Sequence, residues 1–201
     1  MATTTLNKIF LSASIPYQER DRKFYDTADI VAIRDSVRAL ATVVIPNAHL
    51  IWGGHPAITP LIRFVMERLN ANLKDHITLY QSNFFKTYFP KDNLHFENIR
   101  LTEALDDRDS SLKKMRDDMI TKNNYKIGIF IGGMEGVLEE YELFKSSNPN
   151  ALILPVASTG AAAKMIYDSI EQKPDKRLIN DYAYMALFSD LLSEYLINSK
   201  K

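Results

Sequence analysis

Cysteine is absent from the 201 residues, which excludes disulfides, thiolate metal sites and cysteine nucleophiles together and fits a reducing compartment. Neither charge is in surplus. The 25 Lys and Arg balance 25 Asp and Glu, so no net field draws the chain to nucleic acid or to an anionic membrane. No apolar run is long enough to span a bilayer, and the opening Met-Ala-Thr-Thr-Thr-Leu-Asn-Lys has no apolar stretch of signal-peptide length. The expectation is a cytoplasmic protein without a membrane segment and without a strong nucleic-acid signal. Of the four histidines, His49, His76 and His95 have neither metal-ligand spacing nor motif company and read as structural, so no metal site and no cofactor is expected. A nucleophile-elbow sequence, a Ser-His-Asp order and a Gly-x-x-x-x-Gly-Lys loop are all missing, which removes serine-hydrolase and P-loop readings.

What remains is an ordinary globular composition, 46% hydrophobic and 25% charged, long enough for one domain with a sizeable core. Short apolar, β-prone runs alternate with segments of helical spacing. Strands are expected at Lys8–Ser12, His49–Trp52, Ile77–Tyr80, more weakly Asn93–Ile99, then Tyr125–Ile131 and Ala151–Val156. Between them Thr27 can cap a helix reaching about Ala41, Pro56 suits the first turn of a helix bearing Leu61, Val65 and Leu69, and Ser110 or Ser111 can open one reaching Lys122. A helix from about Gly136 to Phe144 and a last one from about Asn180 to Ile197 complete the set. This rhythm specifies an α/β, Rossmann-like three-layer domain over residues 1–201, with a mainly parallel sheet and helices on both faces. Asn83–Pro90, with four aromatics, reads as a helix or loop on the sheet edge, or as a flap over a ligand. The last helix carries more apolar residues than one core-facing stripe requires, which points to a homodimer contact.

The seven glycines number about half of average usage, and six of them fall in three loops that follow expected strands: Gly53 and Gly54, then Gly132, Gly133 and Gly136, then Gly160. Glycine serves where φ is positive or a ligand approaches the main chain, and a glycine loop running into a helix offers N–H groups to an anion. Three such loops on one edge of a parallel sheet form a rim suited to a phosphorylated, nucleotide-like ligand; three tight turns without a ligand are the plainer alternative.

The segment Ile131-Gly132-Gly133-Met134-Glu135-Gly136-Val137-Leu138-Glu139-Glu140 resembles the signature of the SLOG superfamily. That superfamily joins the Lonely Guy phosphoribohydrolases, the DNA-processing protein A family and nucleotide-sensing domains of prokaryotic conflict systems. The Lonely Guy pattern is Pro-Gly-Gly-x-Gly-Thr-x-x-Glu. Gly132, Gly133, Gly136 and Glu140 match it, whereas Ile131 replaces the proline, one residue is inserted before Gly136, and Val137 replaces the threonine. Arg116 stands where those enzymes carry an arginine on the preceding helix; Phe10 to Ser14 resembles their first strand and loop, and Trp52 to His55 the segment after their second.

Added to the glycine placement and to the strand-end hydroxyls and His55, which alone read equally as caps and turn residues, the resemblance implies a nucleotide-derived ligand held by Ser12, Ala13, Ser14, Gly53, Gly54, His55, Gly132, Gly133, Met134, Glu135, Gly136, Ser158, Thr159 and Gly160. It further implies, for an enzyme, N-glycosidic cleavage by Arg116 and Glu140, the carboxylate stabilising oxocarbenium charge and activating water. An altered signature favours a sensing or binding module; retention of Arg116 and Glu140 favours the phosphoribohydrolase reading, and a plain helix-to-helix salt bridge would need no ligand. Glu139 and Glu142 are expected on the solvated helix face. The resemblance also implies a homodimer and, if the ligand is a signal made by another protein, a conflict-system partner.

Overall fold

The computed structural model describes residues 6–69 and 73–196. Six strands form one all-parallel sheet: β1 (Lys8–Ser14), β2 (His49–Gly53), β3 (Ile77–Ser82), β4 (Ile99–Thr102), β5 (Ile127–Gly132) and β6 (Leu152–Val156), in the spatial order β4-β3-β2-β1-β5-β6. The chain builds outward from β1 to β4, then returns across the sheet to place β5 on the other side of β1. The order reverses between β1 and β5, so a crevice opens beyond their carboxyl ends. Ser14 at the end of β1 is paired with Gly132 at the end of β5.

The interleaved helices are α1 (Arg22–Tyr25), α2 (Ile30–Val44), α3 (Thr59–Arg68), α4 (Arg108–Arg116), α5 (Glu135–Ser147), α6 (Ala161–Ser169), α7 (Arg177–Asn180) and α8 (Tyr184–Leu191). Alternation along the strands divides the core. Ile9, Leu11, Leu50, Trp52 and Leu79 pack with α2, α3 and α8 on one face. Phe10, Ile51 and Phe130 pack with α5 and the turn after α4 on the other. Phe10 stacks on Phe144 of α5 at 5.3 Å between ring centroids, and Phe144 in turn requires Gly128 in β5, since a Cβ there would lie 2.6 Å from its ring.

Several boundaries differ from the sequence-based expectation. Strand β1 runs on to Ser14. Asp29, not Thr27, caps α2, its carboxylate accepting from Ala32 N at 2.9 Å, while the Thr27 hydroxyl turns back to Lys23 O. Helix α3 starts at Thr59 with Pro60 in its first turn, beyond Pro56. The fourth strand begins at Ile99, because Lys91–His95 forms a 3-10 turn held by Phe96 N bonding Asn93 O. Asp107 caps α4 through a reciprocal box with Ser110, displacing Ser110 and Ser111 from that role. The last helix is α8, bounded by a break after α7; Ile197 lies outside the described residues. Asn83–Tyr88 is a 3-10 segment directly after β3. Among the described residues no helix is long and apolar enough to cross a membrane.

Candidate functional site

A cleft of about 860 Å³ lies at the carboxyl ends of β1, β2 and β5, between α4 and the start of α5, within the range usual for small-molecule sites. At its floor Arg116 and Glu140 face the cleft, joined from beneath by Ser12, which does not line it. The Ser12 hydroxyl, on β1, donates to Glu140 Oε2 at 2.6 Å, and Arg116 Nε, at the end of α4, faces Glu140 Oε1 at 3.4 Å. The same guanidinium bonds Glu139 through Nη1, so Glu139 is exposed as expected but engaged. Burial pushes the Glu140 carboxyl above its ordinary value; the Arg116 charge and the Ser12 hydroxyl pull it back down without cancelling the shift.

Two local devices aim Arg116. Directly after it the helix widens into a π turn over Asp117–Thr121, and Tyr125 Oη and Asn123 Nδ2 both donate to Met119 O there. Such π turns recur at functional sites. Opposite, Gly136 clears the space: a Cβ on it would lie 2.8 Å from Arg116 Nη2. The third glycine of the motif is therefore the seat of the arginine.

The expected ligand-binding residues divide into two groups. Ala13, Ser14, Gly53, Gly54, His55, Met134, Glu135 and Gly136 line the cleft, with Arg116 and Glu140. Ser12, Gly132, Gly133, Ser158, Thr159 and Gly160 do not line it, and their polar groups are spent internally, the Ser12 hydroxyl on Glu140. Gly132 N donates to Thr159 Oγ1 at 2.9 Å, Gly133 N to Ser14 O at 2.9 Å, and Gly160 N to Ala157 O at 3.0 Å. Ser158 Oγ meets the Tyr184 hydroxyl at 2.9 Å. Gly160, at φ +70°, packs so closely under Thr27 that a Cβ would lie 1.8 Å from the Thr27 carbonyl oxygen. This third loop is a structural joint, in correction of the expected rim.

The amides of Gly54 and His55 are likewise occupied, by Tyr80 O and Thr59 Oγ1. Helix α5 starts at Glu135 with no side-chain cap, and since Val137 N already bonds Met134 O, the N–H groups of its first turn left for an anion are those of Glu135 and Gly136. Close by, the Ser14 hydroxyl faces the cleft and bonds no protein group among the described residues. Glu135 leans outward, 3.8 Å from Lys23 Nζ, which also reaches Asp21 at 3.1 Å. These contacts fasten the long connection from β1 to α2 across the cleft mouth.

That connection supplies Arg20 and Asp21 to the lining, and α4 supplies Lys113; sequence reading assigned a role to none of them. Arg20 and Lys113 make no ion pair among the described residues and face a cleft whose lining also carries Asp21, Asp109, Asp117, Glu135 and Glu139. The signal was the length of the connection, fifteen residues of polar character between β1 and α2 where short loops are the rule. His55 is half-buried, and desolvation and the Arg20 charge lower its pKa to about 4, leaving it neutral near pH 7 with Nδ1 accepting from Ala57 N.

The family model described as the SLOG cluster3 family matches residues 23–192. The chain belongs to the SLOG cluster3 family. This bears out the resemblance carried by Gly132, Gly133, Gly136 and Glu140, and makes the chain a nucleotide-related binding or processing module. Among curated proteins, none matches. The X-ray structure of TM1055, a structural-genomics target, is similar with a TM-score of 0.58 and 14% identity, covering 87% of this chain and 89% of that one. At that identity the likeness shows the Rossmann-like fold alone. Within the SLOG cluster3 chain, the motif's double glycine shapes the turn, and its later residues form the cleft.

Proposed function

We propose that this SLOG cluster3 protein binds a nucleotide or nucleotide-derived phosphorylated ligand in the cleft, as a sensing or binding module. The single observation that carries the reading is the convergence at one switch point of the open α5 N-terminus, the free Ser14 hydroxyl and the Arg116–Glu140–Ser12 set. A phosphate fits the helix end and the cations Arg20 and Lys113; ribose hydroxyls fit the carboxylate of Glu140, whose remaining lone pairs accept hydrogen bonds.

A second reading, N-glycosidic hydrolysis of a nucleoside 5′-monophosphate, is favoured by the state of Glu140. A buried carboxylate steered by a hydroxyl and a guanidinium suits both stabilisation of a ribose oxocarbenium and removal of a proton from water. In that reaction the C1′–N bond breaks with its electron pair going to the base, water oxygen bonds C1′, and the water's proton passes through Glu140 toward the leaving base.

One experiment separates the readings. Purified protein is incubated with nucleoside monophosphates, dinucleotides and ADP-ribose derivatives while thermal stability and released base are followed together. Stabilisation without base release is the expected result for the binding module. Base release abolished in Glu140→Gln would establish the hydrolase, and no response to any compound would contradict both.

A further inference from the structure

Away from the cleft, on the outer faces of α2 and α3, two arginines lie on one aromatic ring and a third stands one turn away. Arg38 Cζ lies 4.8 Å and Arg68 Cζ 3.3 Å from the centroid of Phe64, whose ring is 37% exposed. Arg34 stands one helical turn before Arg38, on the same face of α2. Among the described residues none of the three makes an ion pair within 4.0 Å. Asp35, one turn from Arg38, makes none with it. The Arg38 Nε is buried and has no acceptor. The contrast lies on α3, where Arg63 is held by both Glu67 at 2.8 Å and Asp92 at 2.9 Å.

Guanidinium groups on an aromatic face keep their in-plane N–H donors free for bidentate carboxylate or phosphate recognition. The patch is compact, bounded on one side by the Arg63 network, and the chain has no net positive charge. A nucleic-acid backbone needs a longer cationic track, so a short carboxylate-bearing protein segment is the better fit. The chain itself carries the complement. After β4, Glu103 and Asp106 are exposed and their side chains have no hydrogen bond or ion pair among the described residues, while their neighbours are committed, Asp107 to capping α4 and Asp109 to Arg108. Between them Leu105 is 39% exposed, an apolar residue to set beside Phe64.

We propose that the Arg34–Arg38–Phe64–Arg68 patch is a self-association surface that receives Glu103, Leu105 and Asp106 of a second copy of the chain. A closed twofold arrangement uses the contact twice.

The test is sedimentation velocity on the full chain over a range of concentrations, in low and in high salt. The expected result is a dimer weakened by salt, and weakened about tenfold or more by Arg34→Glu with Arg68→Glu. Both substituted residues are exposed, and circular dichroism checks that the variant folds. Mixing that variant with a Glu103→Lys, Asp106→Lys variant restores the dimer, because each contact then pairs opposite charges again. A monomer at every concentration, a dimer indifferent to these charges, or failure of the mixture to recover would each overturn the proposal.

Discussion

Glu140 is held from two sides, its Oε2 accepting from Ser12 Oγ at 2.6 Å and its Oε1 lying 3.4 Å from Arg116 Nε. The sheet supplies one partner and α4 the other, so the carboxylate is fixed without any ligand. Burial nonetheless raises its pKa. A folded state that raises a carboxyl pKa favours the protonated form, so the ionised group costs stability above that pKa. Glu140→Gln removes that cost. We predict that this variant melts no lower than the parent at pH 7 while losing its response to ligand, as measured by thermal scans with and without AMP. In the parent, the ligand response falls on acidification at a higher pH than an ordinary glutamate would give, and the variant shows no such limb. A variant destabilised by several degrees would make Glu140 a structural ion-pair member instead.

Two glycines of the same sequence pattern answer differently to alanine. At Gly136 the added methyl meets only the end of the Arg116 side chain, at 2.8 Å from Nη2. Gly136→Ala is predicted to fold with nearly parental stability, alanine being the better helix former, and to weaken ligand binding by displacing the guanidinium. At Gly160 the methyl meets the Thr27 backbone at 1.8 Å, and φ is +70°. Gly160→Ala is predicted to cost roughly 3 kcal/mol or more, by strain that no side chain can relieve. Urea denaturation of both variants checks the contrast; equal stability losses would contradict it.

Burial lowers the pKa of His49 and of His55 from 6.5 to about 4, with Lys8 adding to the first shift and Arg20 to the second. A depressed histidine favours the neutral form in the folded state, so its contribution is whole above pH 6.5 and is lost as pH falls toward 4. Stability is predicted to drop across that window, more shallowly in His49→Gln and His55→Gln than in the parent. NMR titration of the ring protons checks the values directly, and Arg20→Ala should move His55 upward while leaving His49 in place.

Much of the sheet was legible in the chain, because strands covered on both faces are written as unbroken apolar runs such as Ile127 to Ile131, each ended by glycine or a small polar residue. Helix starts were less legible. Asp29 and Asp107 won the caps over neighbouring Thr27, Ser110 and Ser111, all of which offer a suitable oxygen, and the choice was made by where the chain leaves the sheet. Strand β4 was misplaced because an edge strand with exposed Arg100 and Leu101 has little periodicity to show. In the site, Arg116 and Glu140 were singled out by resemblance, and only the fold shows that their charged ends meet. The division of the glycine loops was not legible, since whether a loop amide is free depends on partners such as Thr159 and Ser14 that are remote in sequence. Arg20 and Lys113 belong to no motif, and only the fold brings them to the cleft.

The central claim is that the ligand seats between α4 and the α5 N-terminus, and the most direct measurement is amide chemical-shift mapping during titration with AMP and, separately, ADP-ribose. We predict perturbations concentrated at Ser14, Gly53 to His55, Arg116 and Met134 to Glu140, with Ser158 to Gly160 little changed. Shifts centred on the Ser158 to Gly160 loop, or no shifts with either compound at saturating concentration, would contradict it.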